Sequence, residues 1–586
     1  MKNSLITGFL IIILQAACIK DTLNRKPLNL VSDKDVWISE QMVDIYLAPL
    51  YDAVSLGFLT HPYLANITDE SSYHSAGEMP TSNFGNYTLA LNTTAYSWIR
   101  RANYFLEKIN TASIPEASIK RYIAECRFIR AFYYFDLVKK YGGMPIIKEV
   151  QTFDNNLEEL QVPRNKEEEV YDFILEELNA AIADLPDSRG ADNYRATKMT
   201  AQALKSRSML YAGSIAKYGT VQMNGLVGIP AAKANTYFTE SMNASKAIME
   251  SNKFKLYDKL YDPVAHSGDP AKNYQELFLD KNNEEIIFKK TYSAPDKGHD
   301  WDHKNVPQGF TTDYGSAITP TLEMVESYEY IDGNPGTLNV DGLEFNSPDD
   351  LFKNKDPRFA ASIFRSGSLF IGEVVEIYRG IYDTDGTLYS SLRVPFPKDP
   401  SKNQIGRSGP YEATNFTRTG FYVSKFTNNS RVINTSGFSD QDYIIFRYAE
   451  ILLNYAEAAL ESGTSLPEAL TAINLVRSRA GIKLLTPGEL TINRLRNERK
   501  VELAFEDSRF WDIRRWRIGS DLFKSTNMHG LYPYLKYTGS GYKYIFRKVT
   551  GDIDGGISRV WEEKDNYSNL SSYTSTNNKI INNPGW

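Results

Sequence analysis

Apolar residues recur at three- and four-residue spacing over several long stretches, which is the spacing that lines one face of an α-helix. In residues 98–109, Ile99, Ala102, Phe105, Leu106 and Ile109 share such a face. The stretch 119–141 continues the pattern until Gly142-Gly143 and Pro145 stop it. Over 167–185 the face is Val170, Ile174, Leu178, Ala181 and Leu185, and 200–216 and 237–249 make a further pair. After a long irregular stretch the periodicity returns with Tyr448, Ile451, Leu452, Tyr455, Ala456 and Ala459. Gly463 breaks it. Ser465-Leu466-Pro467-Glu468 then reads as a capping box opening a helix that carries Ala469, Ile473, Val476 and Ala480 as far as Gly481.

Helix, short turn, helix, with small alanines at the contact points, is the pattern of tetratricopeptide-like pairs, which bury their faces only by stacking. About four pairs are expected, most of them in the N-terminal half and one near 447–481. Residues 252–440 differ. They are rich in Gly, Pro, Asn, Asp and Tyr, with short apolar runs such as Glu285-Ile286-Ile287-Phe288, and 370–378 predicts a strand. The expected fold is therefore mostly α: four tetratricopeptide-like helix pairs form a scaffold that carries a loop-rich lobe with minor β structure. The divisions fall at 31–251 (helical scaffold), 252–440 (lobe) and 441–586 (C-terminal pair and the segment after it). Binding residues concentrate on loops held by rigid scaffolds, which makes the lobe the expected ligand-binding part.

The first residues belong to neither part. Lys2 supplies a positive start, and 5–14 is an apolar run of about ten residues, half of the roughly 20 needed to span a bilayer. These are the marks of a secretory signal peptide over 1–17. The run ends Leu14-Gln15-Ala16-Ala17-Cys18, which resembles a bacterial lipobox, with Gln15 where the pattern prefers an aliphatic residue. Cys18 is then the expected lipidation site, and the polar stretch 18–30 a tether. Lys20-Asp21 is similar to the charged signal that sends some lipoproteins to the outer face of the outer membrane.

Composition narrows the functional classes. The formal net charge is −6, which argues against nucleic acid. Cys18 and Cys126 are the 2 cysteines, so there is no disulfide framework. The 38 Tyr and 7 Trp are the side chains that stack and hydrogen-bond at wet binding surfaces.

Two strings carry a family resemblance. One is Ala124-Glu125-Cys126-Arg127-Phe128-Ile129-Arg130-Ala131-Phe132-Tyr133-Tyr134-Phe135-Asp136-Leu137-Val138, followed by Tyr141-Gly142-Gly143-Met144-Pro145. The other is Asn497-Glu498-Arg499-Lys500-Val501-Glu502-Leu503-Ala504-Phe505-Glu506, followed by Arg509-Phe510-Trp511-Asp512-Ile513-Arg514-Arg515-Trp516. With Arg195-Ala196-Thr197-Lys198, Asp356-Pro357-Arg358-Phe359 and Asn474-Leu475-Val476-Arg477-Ser478-Arg479 in order between them, the chain resembles the SusD/RagB family. The resemblance implies a lipid-anchored outer-membrane protein facing outward. It would bind oligosaccharides or other nutrients without a cofactor and without acting on them, and would sit as a lid over a SusC-like TonB-dependent barrel.

Several clusters carry residue types that could do chemistry. Glu498, Glu502 and Glu506 recur every four residues, and paired carboxylates could serve a lipid-anchored glycoside hydrolase. The interleaved Arg499 and nearby Arg509 favour an ion network instead. His299-Asp300-Trp301-Asp302-His303 has metal-ligand residue types, but Pro295, Gly298 and Pro307 predict a loop there, and no metal is expected. Asp383-Thr384-Asp385-Gly386 and Asp552-Ile553-Asp554-Gly555 predict tight turns. Trp301, among polar neighbours, is the leading candidate for stacking on a sugar, with His299, Phe310 and Tyr314 beside it. A second polar-aromatic stretch supplies Tyr73, Asn83, Phe84 and Tyr87, together with Asp69, Glu70, His74 and Asn86. A helical scaffold that binds proteins or peptides is the remaining alternative.

Overall fold

The computed structural model describes residues 33–586 apart from 56, 60–62, 75–94, 154–155, 191–193, 312–313, 412–414, 551–552 and 556–557. Cys18 with its tether, and Asn83, Phe84, Asn86 and Tyr87, lie outside the described residues.

Most helices form where the apolar periodicity predicts them, and one more, over 40–52, precedes those stretches. They are α1 (Glu40–Asp52), α2 (Ala95–Lys108), α3 (Glu116–Tyr141), α4 (Glu167–Asp184), α5 (Lys198–Tyr218) and α6 (Ala234–Glu250). In the lobe come the one-turn α7 (Trp301–Asn305) and α8 (Pro357–Ser362). Beyond it lie α9 (Tyr448–Ser462), α10 (Leu466–Ala480), α11 (Ile492–Glu502) and α12 (Arg509–Trp516). Successive helices pack on one another from α2 to α6, and α6 then packs on α9 and α9 on α10. The repeat thus runs on across the lobe as though 252–440 were inserted into it.

Small side chains allow the close approach. Ser206 of α5 meets Ser245 of α6 (Oγ to Oγ 2.8 Å), and Asn454 of α9 donates to Ser206 Oγ at 3.0 Å. At Gly213 of α5 a Cβ would lie 2.6 Å from the Phe238 ring of α6. Cys126 is buried on α3, its thiol 3.4 Å from the Ala102 carbonyl oxygen. Among the described residues no helix is long and apolar enough to cross a membrane.

The lobe leaves and rejoins the scaffold through a two-stranded neck. Strand β1 (Ile286–Lys290) pairs antiparallel with β4 (Tyr443–Arg447), and β4 runs straight into α9. The principal sheet has four strands in the order β3-β2-β5-β6: β2 (Ile381–Tyr382), β3 (Leu388–Tyr389), β5 (His529–Tyr537) and β6 (Tyr542–Thr550). β5 and β6 form a hairpin, and β5 runs parallel to β2. The C-terminal segment therefore completes a sheet that the lobe begins.

Three local expectations need correction. The segment 370–378 is not one strand: Leu369–Phe370 folds back on Glu373–Val374, because Ile371 and Gly372 both take positive φ. Ser465 does not cap α10 through its side chain. It follows the left-handed Gly463 in a tight turn and is itself left-handed, with φ 49°. Residues 301–305 form a helical turn where Gly and Pro had predicted a loop. By contrast, 383–386 is a tight turn, closed by Gly386 N–H donating to the Asp383 carbonyl at 3.0 Å.

Candidate functional site

The helical turn α7 and the two residues before it are fastened to the segment 426–441 by a set of hydrogen bonds. His299 and Ser439 exchange backbone hydrogen bonds, and Asp302 N–H donates to Ser439 Oγ at 3.0 Å. The Asp302 carboxylate accepts from Asn428 N–H at 2.7 Å and from Gln441 Nε2 at 2.8 Å. Asp300 accepts from Gly437 N–H at 2.8 Å. His299 accepts the Trp301 N–H at Nδ1 (3.2 Å) and donates from Nε2 to the Gln441 carbonyl (3.0 Å). Its ring stacks on Phe58 at 4.3 Å, and burial pulls its pKa down to about 4, so it is neutral.

Trp301 is 2% exposed, ringed by Phe58, Phe426 and Tyr63 at 5.1, 5.2 and 5.5 Å. The expectation of an exposed stacking indole is therefore corrected, and with it the surface role of His299. The polar neighbours of Trp301 in sequence turn away to bond the chain, and its apolar neighbours arrive from segments far along it. Tyr73 is likewise buried, its ring 4.2 Å from that of His74.

Asp69 and Glu70 are also interior. Asp69 accepts from Arg509 Nε (2.7 Å) and Lys500 Nζ (2.8 Å), and Glu70 accepts the Phe505 N–H at 3.2 Å. Burial pushes the Glu70 carboxyl up to about 8.

The loop that follows α7 reaches the surface. Tyr314 is 43% exposed. Its ring lies 5.7 Å from His303 and 6.3 Å, edge-on, from His74. The two stretches singled out in the sequence do converge here, through residues 73–74 and 303–314. Phe310 is half-buried, edge-on to Phe370 at 5.1 Å, with the Arg407 guanidinium stacked over it at 3.9 Å. Gly309 takes φ +93° and lets Arg407 cross there, since a Cβ would sit 2.3 Å from Arg407 Cγ. Arg407 also pairs with the exposed Glu373 at 2.7 Å. The Tyr314 ring is thus presented outward from a fastened base of buried imidazoles, and the Arg407 guanidinium covers Phe310 nearby in sequence.

The carboxylates of α11 have a different setting. Glu498 and Glu502 are buried with Arg358 of α8 between them, its Nη1 at 2.6 Å from Glu498 and 2.9 Å from Glu502. Arg477 reaches Glu498 at 2.6 Å, Arg447 reaches Glu502 at 2.5 Å, and Arg479 also pairs with Glu502. Glu506, beyond the end of α11, turns back to Arg447 and Lys425. Burial alone would raise the Glu502 carboxyl, but Arg479, Arg447 and Arg358 overcome it and hold it well below the usual carboxylate range. This is an ion network joining the lobe to the C-terminal helices.

Two features escaped the sequence reading. One is a pocket of ≈ 150 Å³ between α3, β4 and the turn after α11, with Asp136, Lys139, Tyr443, Asp507 and Trp511 in its wall. Phe505 and Asp507 there take φ 61° and 58°, and burial pushes the Asp507 carboxyl up to about 6. No spacing in the sequence links residues 136 and 507. The other feature is the open face of the four-stranded sheet.

The architecture defines a helical-repeat protein with an aromatic-bearing loop lobe set into it. The chain belongs to the SusD family: the model described as "SusD family" matches residues 284–586, and one described as "Starch-binding associating with outer membrane" matches 25–210. A SusD-like protein of Bacteroides ovatus is 24% identical over 539 residues, covering 88% of this chain and 83% of that one. Among solved structures, a SusD-like protein from Bacteroides fragilis superposes with a TM-score of 0.71 at 26% identity, covering 96% of this chain and 100% of that one. A laminarin-binding SusD-like protein superposes with a TM-score of 0.60 at 19% identity, covering 94% of this chain and 100% of that one.

Proposed function

We propose that this protein captures oligosaccharides or polysaccharides at the outer membrane, held there by a lipid on Cys18, and delivers them to a SusC-like TonB-dependent transporter without acting on them chemically. The observation that carries the reading is the Tyr314 ring. It stands exposed between His303 and His74, in the loop that also carries Phe310, on a chain whose family includes a laminarin-binding member. Sugars offer flat C–H faces to such rings and hydroxyl groups to the polar side chains around them. The proposed site is Phe310 and Tyr314, with Asn83, Phe84 and Tyr87, which follow Tyr73-His74 in sequence. Affinity is modest, because sugar hydroxyls exchange one set of hydrogen bonds for another.

A hydrolase centred on Glu498 and Glu502 is disfavoured, since a general acid needs a raised pKa and these two carboxyls are lowered and enclosed by arginines. The test is a glycan-binding screen on the soluble chain from residue 19 onward, beside Tyr314→Ala and Phe310→Ala. Binding to one glycan class that is lost in the variants, at an unchanged melting temperature, supports the reading and the site together. Binding that survives both substitutions moves the site away from this loop. Absence of glycan binding overturns the capture role for the isolated chain.

A further inference from the structure

The four-stranded sheet buries one face and leaves the other open. Leu531, Leu535, Ile381 and Phe546 point into the protein. Directly opposed residues share a face, and the register places Tyr532 with Arg547, Tyr534 with Ile545, and Lys536 with both Lys543 and Tyr382. These residues make up the outer face. On it the Tyr382 and Tyr534 rings lie 5.5 Å apart, and the Arg547 guanidinium stacks 4.9 Å from the first and 5.6 Å from the second.

The charge on this face is one-sided. Lys536 and Lys543 share a single carboxylate, Glu344, at 2.5 and 3.6 Å. Among the described residues Arg547 has no carboxylate partner. Arg379, two residues before β2 and bonded through its backbone N–H to the Pro533 carbonyl of β5 at 2.7 Å, has none either: its guanidinium lies over Tyr411 at 5.6 Å and donates to the Ser390 carbonyl at 3.4 Å. In a chain of net charge −6, this is a local cationic excess laid over aromatic rings.

The face also adjoins the site described above. Tyr532 OH donates to the Arg418 carbonyl at 2.9 Å, and Arg418 Nε donates to the His74 carbonyl at 2.9 Å, next to Tyr314.

We propose that the open face of this sheet, built on Tyr382, Tyr534, Arg547 and Arg379, is a second glycan subsite that takes an oligosaccharide carrying carboxylate or sulfate groups. The inference rests on the glycan-capture reading and adds to it a separate surface and a ligand class. Tyrosine rings meet the C–H faces of the sugar. Neither guanidinium has a carboxylate partner among the described residues, so each has donors left for a carboxylate or a sulfate, and its charge is already held in place by the rings it lies over. A neutral glycan would leave those cations unused.

The test compares wild type with Arg547→Gln, Arg379→Gln and Tyr382→Ala for binding of three probes: an oligogalacturonide, a sulfated chondroitin oligosaccharide and neutral laminarin. The first two separate carboxylate from sulfate as the source of the charge. The expected result is binding of at least one acidic probe. Arg547→Gln weakens it by about tenfold or more, as does raising salt several-fold, with the melting temperature unchanged. Tyr314→Ala leaves a residual acidic-glycan affinity that Arg547→Gln then removes. Laminarin bound while neither acidic probe binds overturns the subsite and leaves the capture function standing. Acidic binding that is indifferent to all three substitutions overturns it too. No binding of any probe overturns the subsite, and the wider glycan screen then decides the capture reading by itself. Binding of anionic lipid vesicles through Arg547, without affinity for acidic glycans, replaces the subsite with a membrane contact.

Discussion

Arg447, the last residue of β4, holds Glu502 of α11 twice: through Nη1 to the carboxylate at 2.5 Å and through Nη2 to the main-chain carbonyl at 2.7 Å. Its Nη1 also reaches Glu285 at 2.8 Å, just before β1. One guanidinium therefore ties both ends of the lobe's neck to the C-terminal helices. All three residues are fully buried, so removing one partner strands the others in a medium that does not solvate charge. Arg447→Ala or Glu502→Gln is expected to lower unfolding stability by about 3–5 kcal/mol. Chemical denaturation checks this. A change below about 1 kcal/mol would mean that the network relaxes or admits water.

Trp301 and Tyr314 lie in one short segment yet should behave in opposite ways. Trp301→Ala empties a volume closed by Phe58, Tyr63 and Phe426 and should cost about 3–5 kcal/mol in stability. Tyr314→Ala removes an exposed ring and should stay within about 0.5 kcal/mol while glycan affinity falls. Paired melts and binding titrations separate the two. A Trp301→Ala chain as stable as wild type contradicts the burial described here.

His299 sets a pH window. Its folded pKa is about 4, against an ordinary imidazole value of 6.5, because burial outweighs the hydrogen bond to Gln441 and the nearby Asp300 and Asp440. As pH falls below 6.5 the unfolded chain takes up a proton that the folded chain refuses. The His299 contribution therefore drops between pH 6.5 and about 4 and levels off below, by up to about 3 kcal/mol, while Glu70 and Asp507, whose carboxyls are raised, gain stability over part of the same window, so the His299 share is read as the difference from His299→Gln. Glu502, with its pKa held down, contributes stability that is lost at lower pH, below the ordinary carboxylate value of 4.5. Denaturation at stepped pH should show wild type losing stability relative to His299→Gln between pH 6.5 and about 4. Equal losses in the two chains would assign the slope to other groups.

Gly213 lets α5 and α6 touch. A methyl group there meets three atoms of the Phe238 ring at 2.6–3.0 Å, inside a packed helix contact. Although alanine is the better helix former, Gly213→Ala should destabilise by about 1–3 kcal/mol. The double variant Gly213→Ala/Phe238→Leu should recover part of the loss. Melting curves of the three chains test this, and stabilisation by the single change would show that the helices can separate freely.

The glutamates of α11 show how far spacing reads chemistry. Residues at four-residue intervals share a helix face, and alternating arginines signal ion pairing, so the ionic character of 498–506 is visible in the sequence. Which arginines pair with them is not, because Arg358, Arg447, Arg477 and Arg479 come from elements separated by up to about 140 residues.

The strands of the principal sheet were harder to read than the helices. β2 and β3 are only 2 residues each and have no periodicity of their own. The 9-residue strand β5 places tyrosines on both faces, Tyr532 and Tyr534 outward and Tyr537 inward, so its polar-apolar alternation is blurred, whereas β6 does alternate, with Tyr542, Tyr544 and Phe546 inward and Lys543 and Arg547 outward. The cationic aromatic face exists only once the register brings Tyr382, Tyr534 and Arg547 together.

The sequence by itself determined the helical scaffold, because a 3.6-residue apolar rhythm and its glycine and proline stops are local properties of the chain. It also carried the family signatures, which are local strings. The tertiary structure alone decided which aromatic rings face solvent. Exposure depends on what other segments bring to a side chain: Phe58, Tyr63 and Phe426 cover Trp301, while nothing comparable among the described residues covers Tyr314.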